Sequence, residues 1–403
     1  MSPLVDRPPH VDPAQVVDFD FWRPGPAGCD PFLAWTALLG KAPVIWTPRN
    51  GGHWLVTRGE DVPKILADHE RFSSRRVFIG MEGAPRAVPL EQDPPEHGPL
   101  RKLIMPAFSP RSVKRWADEA QQLATELIEG LRPAGQCEFM RDFAQQLPII
   151  VFLKMVDLPL EHRTMLLEWV GAGIRTTDTA TRDRARANLN AYIVDLVNQR
   201  LKQPGEDILS QALHAHLGDG RPMSYELALG TARTLLGGGL DTVAATLGWI
   251  ALFLAEHPVH RQQLAADPRR IPRAIDELMR RFSIANIARV VRADMTYEGA
   301  QLKAGEQILM ASCLHGLDPR SFANPLEVDF ERRDAHRHST LSHGIHRCIG
   351  APLALQEIRI FIEEWLARIG DFTLDPEVPP VRVTGIAHGL SQLGLRWRNS
   401  VGP

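Results

Sequence analysis

The sequence predicts a mainly α-helical fold with a minor β region, built as one domain around a long central helix. Apolar residues recur at helical spacing over about 112–131, 143–156, 186–202, 225–256, 273–282 and 351–369. β-prone runs are short and scattered, falling within about 43–58, 289–311 and 381–397. No internal repeat or low-complexity linker divides the 403 residues, so 1–403 reads as a single domain.

In chain order, the first 40 or so residues are rich in Pro and Gly and read as a surface-wrapping arm. Pro43 to Arg58 places two β-prone runs on either side of Asn-Gly-Gly, a hairpin signal. Further β elements are expected at Arg289 to Tyr297, Gln307 to Ala311 and Val381 to Trp397. The pattern at 225–256 is read as one unbroken helix, which at ~1.5 Å per residue would cross the whole molecule. Ser224 can cap its start, Glu226 sits in the positive first turn, and Pro258 ends it.

A composition of 44% apolar and 23% charged residues suits a large buried core. The net charge of -2 gives no bulk reason to bind nucleic acid or an acidic membrane surface. The opening MSPLVDRPPHVDPAQ lacks both the basic and the apolar part of a secretory signal. The charge-free run Thr242 to Ala255 falls short of the ~20 residues that span a bilayer. A soluble, monomeric, cytoplasmic protein is expected. Cys29, Cys137, Cys313 and Cys348 form no C-x-x-C pair, which argues against a disulfide framework or a zinc knuckle.

Cys348 stands apart from the other three. Ser339 to Gly350 reads STLSHGIHRCIG and runs straight into a helical pattern. A cysteine just before a helix start faces unpaired N–H groups and the positive end of the dipole, so a thiolate is favoured there. Gly344 and Gly350 let the backbone turn close to the sulfur. The bland reading is a buried cysteine in a capping loop. A sharper rival is a zinc hydrolase using His336, His338, His343 and His346, whose spacing fits no zinc pattern.

Three more segments carry unusual residues. Gly237, Gly238 and Gly239 lie in mid-helix at about 1 kcal/mol each relative to Ala, followed by Asp241 and Thr242 in an apolar stretch. Glu277 and Arg280 in DELMRRF share one helix face. His97 and Arg101 lie in QDPPEHGPLR.

Together these segments resemble the cytochrome P450 family. Its cysteine loop F-G-x-G-x-H-x-C-x-G is matched here at Gly344, His346, Cys348 and Gly350, with Leu341 in place of Phe and Ser342 in place of the first Gly. Its Glu-x-x-Arg pair, D-P-P-E-H segment and acid-alcohol helix follow in family order. From about Arg71 to Trp397 the match resembles in particular the soluble camphor-hydroxylating bacterial subgroup.

The resemblance implies a cytochrome P450 fold with the long helix over a buried haem b (iron protoporphyrin IX), whose iron Cys348 binds. It implies proton delivery to bound oxygen by Asp241 and Thr242, and a cofactor seat that includes Gly238 and Gly350. His97, Arg101, Arg289 and His346 would meet the propionates, and Glu277, Arg280 and Arg332 would form a structural network. The implied substrate pocket comprises Phe78, Pro85, Leu90, Thr234, Gly237, Ala285, Ile386 and Ala387.

The tyrosine that anchors camphor is missing, because Phe78 to Asp93 contains none. A roomier apolar pocket then points to a terpenoid or norisoprenoid ketone larger than camphor, hydroxylated with O2. Electrons are expected from a 2Fe–2S ferredoxin and an NAD(P)H-dependent reductase, docking at a basic patch of Arg101, Arg332, Arg333, Arg337 and Arg347. Two other readings remain: a peroxide-driven peroxygenase and a non-catalytic haem-thiolate sensor.

Overall fold

The structure is a computed structural model and describes residues 4–398 apart from Glu82 and Asp219. Its first helices are α1 Pro31–Thr36, α2 Asp61–Ala67, α3 His97–Ile104, α4 Pro110–Leu131, α5 Gln146–Met155, α6 Arg163–Arg175 and α7 Thr179–Lys202. There follow α8 Ile208–Leu213, α9 Tyr225–Gly239, α10 Thr242–Glu256, α11 Pro258–Ala266, α12 Ile271–Arg281, α13 Ser312–Leu317 and α14 Ala351–Arg368. The strands are β1 Val44–Thr47, β2 His53–Val56, β3 Phe72–Ser73, β4 Gln136–Glu138, β5 Asn286–Val291 and β6 Met295–Tyr297. The rest are β7 Ala300–Leu302, β8 Gln307–Ala311, β9 Phe372–Leu374, β10 Val381–Val383, β11 Gly389–Gln392 and β12 Gly394–Trp397.

The expected hairpin forms, with Val44 opposite Val56 and Thr47 opposite His53. Asn50, Gly51 and Gly52 all take positive φ in its turn. It edges a five-stranded sheet of order β1-β2-β8-β5-β3, antiparallel except where β2 meets β8. The run 381–397 supplies three strands to two different sheets, β10-β11 and β4-β12-β9.

α10 is buried at every residue from Ala244 to Ala255, which explains why its sequence is apolar all round. It packs against α14, β9, β11 and a π-helical turn at Met140–Ala144 that precedes α5. The segment 225–256 is long and apolar enough to cross a membrane by length and composition, yet 78% of its most apolar window is buried in the protein.

One expectation is corrected here. The segment 225–256 is two helices, broken at Leu240 and Asp241. Asp241 has φ -138 and ψ -29, outside the helical range. The Thr242 hydroxyl donates to the Gly238 carbonyl at 3.1 Å, and the ladder resumes with Ala245 N to Asp241 O at 3.0 Å. Three glycines of low helix propensity make this the weakest stretch of the helix, and a side-chain hydroxyl that competes for a backbone carbonyl opens it. Ser224 caps α9 as expected, accepting from Leu227 N at 3.3 Å.

Candidate active site

The turn from the cysteine loop into α14 places Cys348 three residues before the first residue of the helix, where the amides of Gly350 and Ala351 reach its sulfur. Cys348 is exposed, yet desolvation is the largest influence on its thiol and raises the pKa above the usual 9.0 against those amides, Arg101 and Arg347. A side chain that is both accessible and surrounded by protein lines a hollow. The thiolate expected from the helix dipole alone is therefore not favoured in the bare chain. Desolvation outweighs the dipole, and ionisation falls to whatever cation the sulfur binds. Cys348 N donates to Leu341 O at 2.8 Å, which closes the loop, and Ser342 takes φ 60 where the family pattern has glycine.

The glycine turn of α9 divides into two roles. A Cβ on Gly239 would meet the Phe152 ring at 2.5 Å, so this glycine serves a close helix crossing. Gly237 and Gly238 are exposed, and a Cβ on either would meet nothing within 4 Å. Those two glycines, with exposed Thr242, face open space inside an otherwise buried element. Ile349, beside Cys348, packs against the apolar cluster that also contains Leu235, Leu236 and Leu240, so the cysteine loop and the glycine turn border one cluster.

Asp241 is buried and paired with Arg175 at the end of α6. Nη1 donates to Oδ1 at 2.7 Å and Nη2 to Oδ2. Arg175 carried no signal in the sequence, where it is one arginine in an undistinguished helical stretch; only the fold brings it to Asp241.

His97 and His346 meet with ring centroids 4.4 Å apart, and each has a buried Nε2 without a hydrogen-bond partner. Burial holds them near pKa 4 and 3 respectively, with neighbouring arginines pushing the same way. Burial also lowers Arg289 to about 10, and its Nη1 donates only to the adjacent Ala288 carbonyl, at 2.9 Å. Arg101 donates to Arg347 O at 2.6 Å, one residue from Cys348. Four donor side chains thus converge with too few acceptors, an arrangement that suits added carboxylates.

The expected pocket residues are brought together unevenly. Ala285 and Ala387 face each other across an isolated bridge, and Ile386 O accepts from Asn286 N at 2.9 Å. Thr234 donates to Val88 O at 2.8 Å, while Val88 N donates to Gly230 O at 3.0 Å. Val88, not Pro85, therefore carries the loop's contact with α9, and Pro85 is exposed. Phe78 and Leu90 are half-buried.

Glu277 and Arg280 are both 0% exposed and bonded at 2.7 Å. Arg332 joins Glu277 at 3.0 Å with its side chain 9% exposed, which removes it from the surface patch. Arg333, Arg337 and Arg347 are exposed. The histidine cluster disperses: His343 bonds Ser339, His338 is buried, and His336 is exposed. Among the described residues no three His, Cys, Asp or Glu side chains converge as a metal site. A thiol outside any such cluster among the described residues suits a metal whose other ligands come from a macrocycle.

A family profile described as Cytochrome P450 matches residues 140–383. The chain belongs to the cytochrome P450 family and is a monooxygenase whose cofactor is haem b. It is 33% identical to the "Probable cytochrome P450 127A1" of Sinorhizobium fredii, over 97% of this chain and 96% of that one. It is 30% identical to the "Cytochrome P450 monooxygenase PikC" of Streptomyces venezuelae, over 92% and 91% of the two. The crystal structure of cytochrome P450 CYP101C1 superposes with a TM-score of 0.87 at 37% identity, covering 98% of this chain and 100% of that one. With the crystal structure of CYP101J2, at a TM-score of 0.87 and 35% identity over 98% of this chain and 100% of that one, this likeness is consistent with a CYP101-like subgroup.

The residues present fit haem b. Cys348 offers a single accessible sulfur, the unpartnered nitrogens of His97 and His346 with Arg289 offer donors to two carboxylates, and Gly237 and Gly238 leave the space a flat group needs.

Proposed function

We propose that this monooxygenase hydroxylates an unactivated C–H bond of a small hydrophobic substrate, a terpenoid or norisoprenoid ketone larger than camphor. It would work as one domain and a monomer in the cytoplasm, with electrons from a 2Fe–2S ferredoxin and its NAD(P)H-dependent reductase. The observation that carries the oxygenase reading is exposed Thr242 beside open Gly237 and Gly238, in a helix broken at Asp241.

Bound haem b supplies dioxygen binding and oxidising power, so that the substrate gains one oxygen atom, the other leaves as water, and two electrons and two protons are consumed. Cys348 would hold the iron, with the Gly350 and Ala351 amides steadying the sulfur. His97, Arg101, Arg289 and His346 would bind the propionates. The Thr242 hydroxyl gives its proton to Gly238 O, so its lone pairs are free to accept from water or the oxygen ligand. Both Asp241 oxygens are engaged by Arg175, so passing a proton toward Thr242 requires one of these contacts to open.

The substrate reading rests on small side chains at Gly237, Ala285 and Ala387 and on the absence of tyrosine between Phe78 and Asp93. Exposed Arg333, Arg337 and Arg347 suit an acidic ferredoxin, and rising salt should then slow reduction steeply.

The test begins with the reduced, carbon-monoxide-treated protein, which should show the red-shifted Soret band, whereas Cys348→Ser should not. Optical spin-state titration with camphor and β-ionone follows, then substrate-dependent NADH consumption with a ferredoxin system and product identification. A stronger spin shift with camphor than with β-ionone overturns the substrate class without touching the oxygenase reading.

A further inference from the structure

Buried hydroxyls that the chemistry above does not use run from Ala285 to the cysteine loop. Ser312 Oγ donates to Ala285 O at 2.8 Å and accepts from Ala285 N at 3.1 Å. Ser283 Oγ donates to Ser312 Oγ at 2.8 Å. The Thr340 hydroxyl reaches Ser283 Oγ at 2.8 Å and Met279 O at 2.7 Å. The next residue, Leu341, accepts from Cys348 N at 2.8 Å. Ser283 is 1% exposed and Ser312 4%, so no bulk water competes for these bonds.

The far end is Ala285, one of the expected pocket residues, which bridges Ala387. The near end is a loop that has Leu341 and Ser342 where the family pattern places Phe and Gly. Ser342 takes φ 60, a conformation costly for a side chain, and its buried Oγ has no partner. Ser339, the residue before Thr340, is clamped between His315 at 2.8 Å and His343 at 3.0 Å. A loop strained at Ser342 is therefore held from its Ser339–Thr340 side.

We propose that Ser312, Ser283 and Thr340 are positioning residues for Cys348. Their hydroxyl chain fixes the loop register in which the Gly350 and Ala351 amides reach the sulfur, and it ties that register to Ala285, the residue before strand β5. The proposal rests on Cys348 being the iron ligand. Amide donation to a thiolate lowers its electron release and raises the reduction potential. Cutting the chain loosens Leu341 and weakens that donation, so the potential and the C–O stretching frequency of the ferrous carbon monoxide complex should both fall.

The experiment measures the midpoint potential and the C–O stretch of the haem-loaded protein for Ser312→Ala, Ser283→Ala, Thr340→Val and their pairs, with thermal unfolding alongside. Each single variant should lower both quantities. Each pair should lower them no further than its larger member, because one chain is cut once or twice with the same result. Ser312→Thr, which keeps the hydroxyl, should restore the wild-type values. If Ser312→Ala does not take up haem, half-buried Thr340→Val gives the same reading from the other end.

A lower melting temperature with unchanged potential and stretch, or additive shifts in the pairs, overturns the proposal and leaves the hydroxyls as stability elements. A wild-type protein without the red-shifted Soret band would instead overturn the Cys348 assignment, so the two failures are distinct.

Discussion

Asp241 is set by a partner 66 residues away in the chain, Arg175, which sits at the last position of α6. Taking one member from a buried ion pair leaves the other charge without compensation. Arg175→Ala should therefore cost about 3–5 kcal/mol of unfolding free energy. Urea titration reads this directly, and Arg175→Ala with Asp241→Asn should recover part of it. Glu357 behaves differently. It is 3% exposed, and burial pushes its carboxyl from 4.5 up to about 8. The unfolded chain releases this proton near 4.5 while the folded chain keeps it to about 8, so Glu357 destabilises the fold increasingly across that window. Glu357→Gln should accordingly be more stable than the parent by a margin that grows with pH, by at most about 1.4 kcal/mol per unit. Equal urea midpoint differences at both ends of the window would contradict this.

Among the elements, the broken helix shows what a glycine run can encode. Three adjacent glycines look alike in sequence, yet Gly239 lies against Phe152 and Gly237 against open space. Gly239→Ala should cost about 1–3 kcal/mol through overpacking. Gly237→Ala should be neutral or stabilising by up to about 1 kcal/mol from helix propensity, while narrowing the pocket. Thermal unfolding separates the two, and equal effects would contradict the division. The hairpin β1–β2 and helix α14 were legible because turn chemistry and periodicity are local. The break at Asp241 was not, because it depends on the Thr242 hydroxyl competing for a carbonyl one turn back.

For the molecule as a whole, four histidines away from the propionate contacts are buried and neutral. Desolvation holds His53, His338 and His388 near pKa 3 and His315 near 4. Their folded values lie below the unfolded 6.5, so the stability they allow is complete above 6.5 and is lost as pH falls toward their folded values. Each adds on the order of 1.4 kcal/mol per pH unit once the unfolded chain binds the proton first. The melting temperature should fall steadily as pH drops below 6.5, and a flat profile down to 5 would contradict this. The docking surface also changed at this scale. In sequence Arg332 is one of four nearby arginines that read with Arg101 as a basic patch, and the fold turns it inward onto Glu277, the partner that the family resemblance implies.

The sequence by itself determined the helical class, the hairpin, the start of α14 behind Cys348 and the shared helix face of Glu277 and Arg280, because each follows from residues within a turn or two of one another. Only the tertiary structure decided that Arg175 holds Asp241, that Val88 rather than Pro85 meets α9, and that Ser312, Ser283 and Thr340 join Ala285 to the cysteine loop. These contacts join residues far apart in the chain, and a polar side chain shows no partner until packing has removed water and left the partner as its only choice.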